Sequence, residues 1–128
     1  MADTTPNKIL YVEDEPDIRT IARIALETVG KFQVKMCSSG KEALAEVEEF
    51  APDCILLDVM MPGMDGPSVL KALRQIPACA HIPVIFMTAK VQSSEVAQYT
   101  AIGAIGVIPK PFDPMKLAQS VRQMLGDH

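Results

Sequence analysis

Short apolar runs alternate along the chain with stretches in which apolar residues recur every three or four positions. That alternation is the βαβ signature of a parallel sheet covered on both faces, and five such units fit. The runs at 9–12, 54–57 and 84–87 are apolar throughout, as strands buried on both faces must be, and read as central strands. Residues 32–36, Phe-Gln-Val-Lys-Met, instead alternate with period two, which places one face in water and the strand at an edge. The fifth run, 105–108, is interrupted by Gly106 and followed by Pro109, which cannot donate to a ladder, so it reads as the other edge.

Between the runs, Ile18, Ile21, Ala22, Ala25, Leu26 and Val29 fall on one face of a single helix. Ser39-Gly-Lys-Glu42 has the spacing of a capping box ahead of Ala43, Leu44, Val47 and Phe50. Asp65-Gly-Pro67 and Asp113-Pro114 each place a capping acid near a proline suited to a first helical turn, ahead of Leu70 and Leu73, and of Leu117, Val121 and Leu125. A fourth helix over about 93–101 has a sparse inner face of Val96, Tyr99 and Ile102.

Composition narrows the class. With 128 residues, 48% hydrophobic and 22% charged, the chain holds one domain with a sizeable core, which excludes disorder and fibrous repeats. A net charge of −4 disfavours direct binding to nucleic acid or anionic membranes. The surplus is local: residues 1–65 carry thirteen acids against six bases, residues 66–128 three against six. Cys37, Cys54 and Cys79 form no paired motif and suit reduced thiols in a cytosol. Residues 1–7 read as a polar leader without a signal core, and no apolar run approaches the roughly 18 residues of a membrane span, so a cytoplasmic protein is expected. His81 lies in a turn and His128 at the end, and neither suggests a metal or catalytic pair.

Ligands of an open parallel sheet bind outside the carboxyl ends of its strands. There the runs end in Glu13-Asp14-Glu15, in Asp58, in Thr88-Ala89 and in Lys110-Pro111, with 44, 30 and 22 residues separating Asp14, Asp58, Thr88 and Lys110. Several carboxylates at one site repel unless a cation compensates, and magnesium takes one or two carboxylates together with phosphate and water oxygens. Glu13, Asp14 and Asp58 match that demand, while Glu15 reads as the start of the first helix. Lys110, the Thr88 hydroxyl and the Ala89 amide would complete an anion pocket beside the metal.

These residues lie in Val12-Glu13-Asp14-Glu15, Asp58-Val-Met-Met-Pro-Gly-Met-Asp-Gly66, Met87-Thr-Ala89 and Lys110-Pro-Phe112, and with them the chain resembles the receiver domain of two-component response regulators from Lys8 to about Leu125. The resemblance implies a flavodoxin-like (βα)5 fold, a doubly wound five-stranded parallel sheet in the order 2-1-3-4-5, over residues 8–126; because helix five runs to within a few residues of His128, no output domain is expected. It implies that Asp58 accepts a phosphoryl group from a phosphohistidine on a sensor histidine kinase or histidine phosphotransfer protein. Magnesium would be held by Asp14, Asp58, the Met60 backbone carbonyl and, through water, Glu13. A cis Lys110-Pro111 bond is also implied, as is a partner-binding face made by helix four, strand five and helix five. Val107 stands where relatives often carry a switching aromatic, and Met60 and Lys90 occupy positions that tune dephosphorylation in the family.

Three other classes are less well matched. An aspartyl-phosphate hydrolase needs a second Asp two residues after the first, where this chain has Met60; a flavin carrier cradles phosphate with Ser, Thr and Gly, where this chain is acidic. A docking module that never carries phosphate normally lacks one of the core residues, all of which are present here.

Overall fold

In a computed structural model covering residues 7–126, every apolar run becomes a strand. Most of the leader and His128 lie outside the described residues. The strands are β1 (Lys8–Val12), β2 (Gln33–Cys37), β3 (Cys54–Asp58), β4 (Val84–Thr88) and β5 (Gly106–Pro109), all parallel, in the order β2-β1-β3-β4-β5. Between and after them come α1 (Pro16–Arg23), α2 (Gly40–Phe50), α3 (Gly66–Arg74), α4 (Ser93–Ala101) and α5 (Leu117–Gly126). This is the flavodoxin-like order expected, with both edge strands where alternation and Pro109 put them.

Burial explains the strand composition. Every residue of β3 and β4 is buried, because helices cover both faces, and no position is left for a solvated side chain. Alternate residues feed two cores. Leu10, Val12, Ile55, Leu57 and Phe86 pack with Val47, Val69 and Leu73 on one side, whereas Ile9, Tyr11, Leu56, Ile85 and Met87 pack with Ala22, Leu26, Leu117 and Val121 on the other. Each fully buried aliphatic chain stabilises the fold by about 1.5–3 kcal/mol, so the two layers hold the strand ends in register.

Caps are largely as expected. Ser39 accepts a bond from the Glu42 amide at 3.1 Å and Asp65 from the Ser68 amide at 2.9 Å. The return bond of the capping box is displaced by one residue: the Glu42 carboxylate accepts from the Ser38 amide at 2.8 Å. At α5 the Asp113 carboxylate caps a turn by accepting from the Met115 amide at 2.9 Å, and the α-helix proper begins three residues after Pro114, at Leu117. Glu15 sits at the N-cap of α1 without a side-chain capping bond.

The first helix departs from expectation. After Arg23 the chain winds as a π-helix from Ile24 to Val29, closed by the Gly30 amide on the Ala25 carbonyl at 3.1 Å. In a continuous α-helix Val29 would face the core; the wider winding shifts its phase and leaves it 40% exposed. Ile21, at the margin of the predicted stripe, is 45% exposed, while Ala22, Ala25 and Leu26 remain buried. The segment ends where α5 approaches so closely that a Cβ on Gly30 would lie 2.5 Å from that of Ala118. Helix α4 buries no residue fully; Tyr99 meets Phe86 edge-on with ring centroids 5.1 Å apart, and Ile102, expected inward, is 48% exposed.

Candidate functional site

The carboxyl ends of β1, β3, β4 and β5 converge because their registers are aligned: Val12 is the partner of Leu57, Asp58 of Met87, and Thr88 of Pro109. Glu13 continues the ladder one step past β1, its amide bonded to the Cys37 carbonyl at 3.0 Å. Its carbonyl accepts from Arg19 Nη1 at 2.7 Å, so the first turn of α1 anchors the acidic segment from below. Asp58 ends β3 and is 5% exposed. The following residue is held on both sides, with the Val59 amide donating to the Met87 carbonyl at 3.1 Å and the Val59 carbonyl accepting from the Gly66 amide at 2.9 Å.

Three acids meet here. Carboxylate oxygens of Glu13, Asp14 and Asp58 all lie within 4.8 Å of one another, with Glu13 and Asp58 buried and Asp14 half-buried. Two unit charges 4.8 Å apart repel by about 3 kcal/mol at an effective dielectric near 20, so the cluster needs compensation. Lys110 supplies part of it: Nζ lies 2.8 Å from Glu13 Oε1 and 3.3 Å from Asp58 Oδ2. Its backbone amide donates to the Thr88 carbonyl at 2.9 Å, and the Lys110-Pro111 bond is cis.

The electrostatics follow from burial. Desolvation pushes the Glu13 carboxyl up to about 7; the bond from Lys110 opposes this and the neighbouring Asp58 reinforces it. Burial works to lower the Lys110 ammonium, but the bond to Glu13 and the field of Asp58 outweigh it, and the net shift is upward. One lysine against three acids leaves a negative site of hard oxygen donors, the donor set that suits a divalent cation such as magnesium.

Thr88 is buried, its hydroxyl accepting from the Lys90 amide at 3.1 Å, and Ala89 and Lys90 are exposed at the rim. Met60, 68% exposed, lies in the β3–α3 loop. Glu15 is exposed and does not belong to the acidic cluster, although its amide reaches Glu13 Oε2 at 3.3 Å. Glu13, Asp14, Asp58, Thr88, Ala89 and Lys110 thus all lie at or just past the carboxyl ends of their strands, and Glu13, Asp14, Asp58 and Lys110 are in direct proximity.

Two contributors and one unpaired hydroxyl escape sequence reasoning. Arg19 carries no signal for its bond to a carbonyl six residues back. Gly66 lies against Asp58 so tightly that a Cβ would meet the Asp58 carbonyl at 2.6 Å. Tyr11 reads as one more apolar residue of its run, and only its polar atom in a doubly buried strand hints otherwise.

Comparison with known proteins agrees with the geometry. The family model described as the response regulator receiver domain matches residues 9–122. The DNA-binding response regulator MtrA of Mycolicibacterium smegmatis is 37% identical over 96% of the chain, and the phosphate regulon transcriptional regulatory protein PhoB of Rhizobium meliloti is 37% identical over 92%. The chain spans about half the length of these curated relatives, 52% of each. The chemotaxis response regulator CheY4 of Vibrio cholerae superposes with a TM-score of 0.85 at 31% identity, covering 94% of this chain and 99% of that one. An acidic cluster at the carboxyl ends of a 2-1-3-4-5 sheet, with the family match across nearly its whole length, makes this chain a member of the response regulator receiver domain family of two-component systems.

Proposed function

We propose that Asp58 is the phosphoryl acceptor of this receiver and that the donor is a phosphohistidine on a sensor histidine kinase or a histidine phosphotransfer protein. The observation that carries the reading is the placement of Lys110 Nζ between Glu13 and Asp58 within a three-carboxylate cluster at the strand ends. An Asp58 carboxylate oxygen attacks phosphorus in line, an acyl phosphate forms, and the phosphorus–nitrogen bond breaks with its electron pair returning to the imidazole. Lys110, 3.3 Å from Asp58 Oδ2, is placed to follow the charge onto the transferred oxygens, and the Thr88 hydroxyl and Ala89 amide donate to the others. Asp14, Asp58 and the Met60 carbonyl would hold magnesium, with Glu13 acting through water. The ion, when bound, offsets charge on the phosphoryl oxygens. The chain's own task is positioning.

The partner-binding face would be α4, β5 and α5. Helix α4 supports this assignment, since its loose seating lets a rearrangement at Thr88 travel through the following loop at small cost. With Val107 half-buried against the core, the switch would proceed by loop movement without an aromatic rotation at 107.

A small acyl-phosphate donor with magnesium is expected to add one phosphoryl group to the wild type and none to Asp58→Asn, read by intact mass. Full labelling of the variant would overturn the assignment.

A further inference from the structure

Tyr11 is 1% exposed, and among the described residues its hydroxyl is a buried side-chain oxygen with no hydrogen-bond partner in the protein. Leaving such a group unpaired costs about 1–3 kcal/mol, and native interiors pair nearly all of them. The core layer it shares with Ile9, Leu26 and Leu117 offers no side-chain acceptor. Past the end of β1 come the carboxylates of Glu13 and Asp14. Tyr11 is the register partner of Leu56, and both belong to the same core layer. Two residues further on each strand the side chains return to that face, at Glu13 and at Asp58. Two residues of parallel strand rise about 6.6 Å, a distance that a phenol leaning along its strand can span.

Glu13 has room for the bond. Its Oε1 accepts from Lys110 at 2.8 Å and its Oε2 from the Glu15 amide at 3.3 Å, while a carboxylate offers about four lone-pair positions. Burial pushes the Tyr11 phenol upward, and the charges of Glu13 and Asp58 add to it.

We infer that the Tyr11 hydroxyl is a positioning group of the acidic site, donating through one water to a free lone pair of the buried Glu13 carboxylate and holding that carboxylate in the orientation from which it serves a divalent cation. The inference rests on the magnesium reading of the site given above. Tyr11 touches neither phosphorus nor Asp58 in this role; it acts through Glu13. Removing a group that orients a metal ligand typically weakens metal binding by about 10–100-fold.

The test uses Mn2+, whose free-ion paramagnetic resonance signal vanishes on binding and so reports affinity independently of phosphoryl transfer. Tyr11→Phe deletes only the hydroxyl. Mn2+ affinity is expected to fall about tenfold, with no gain in thermal midpoint. An unchanged affinity together with a raised midpoint would identify an orphaned hydroxyl and overturn the inference. A second measurement does not depend on that variant. The chain has two tyrosines, so Tyr99→Phe leaves Tyr11 as the sole tyrosine, and its Cζ resonance is expected to shift on adding Mg2+. A resonance that does not move overturns the inference even if Tyr11→Phe fails to fold. Wild-type protein that takes up no Mn2+ would remove the metal reading and the inference together, whereas tight wild-type binding matched by Tyr11→Phe removes the inference alone.

Discussion

Replacing Gly66 by alanine should damage phosphoryl acceptance more than it damages stability. The added Cβ would meet the Asp58 carbonyl at 2.6 Å, the Val59 Cα at 2.9 Å and the Phe86 Cε1 at 3.1 Å. The two shortest contacts are to backbone and cannot be relieved by turning a side chain. Restoring an ordinary 3.4 Å separation from the carbonyl requires about 0.8 Å of movement, shared between the start of α3 and the end of β3. Overpacking of this kind costs about 1–3 kcal/mol, against about 0.4–1 kcal/mol gained from a stiffer unfolded chain, so a net loss of about 1–2 kcal/mol is expected. The midpoint of urea unfolding should fall by about 0.5–1 M. Because a misplacement near 1 Å can cost about a hundredfold in rate, labelling of Asp58 by a small acyl phosphate should slow by about 10–100-fold. Stopped samples analysed by intact mass give the rate, and urea titration followed by circular dichroism gives the stability. Gly126→Ala, where the added methyl meets nothing outside its own helix and chain neighbours within 4 Å, is the control: labelling should keep the wild-type rate and stability should not fall. Labelling of Gly66→Ala at the wild-type rate would refute the argument that this glycine sets the position of Asp58.

Three further outcomes are expected. Ala51 closes α2 with φ 52° and ψ 62°, a left-handed conformation that disfavours a Cβ; Ala51→Gly should raise the thermal midpoint by about 3 °C, and a lowered midpoint in calorimetry would contradict the strain. Burial pushes the Cys37 and Cys54 thiols up to about 12 and raises that of Cys79, so the thiol is favoured over the reactive thiolate at neutral pH; all three should resist a disulfide reagent in native protein and react in denaturant, and rapid native labelling would contradict this. Met60, 68% exposed, and exposed Lys90 stand at the rim, where neither side chain can orient an attacking water by accepting its hydrogen; Met60→Asn with Lys90→Glu should shorten the phosphoryl half-life about tenfold, a barrier change of about 1.4 kcal/mol, measured as phosphate release without added phosphatase. An unchanged or longer half-life would show that these side chains do not control access.

What the sequence by itself determined was whatever depends on neighbours along the chain. Continuous apolar runs mark β1, β3 and β4, alternation marks β2, and Pro109 marks an edge, because burial on two faces, one face or a missing donor leaves a local imprint. The caps at Ser39 and Asp65 are legible for the same reason, and the acids, threonine and lysine at strand ends are conspicuous because polar residues there have no local structural task. The tertiary structure alone decided what depends on which strangers meet. Lys110 and Glu13, 97 residues apart, become an ion pair only once β5 and β1 share a sheet, and burial then moves the Glu13 carboxyl toward neutrality. The π winding after Arg23 accompanies close packing against α5 and overrides the 3.6-residue pattern that placed Val29 inward. The tight seat of Gly66 against Asp58 and the pairing problem of Tyr11 are likewise invisible in their own segments, since a contact or an unpaired hydroxyl exists only when the surrounding layer closes over it.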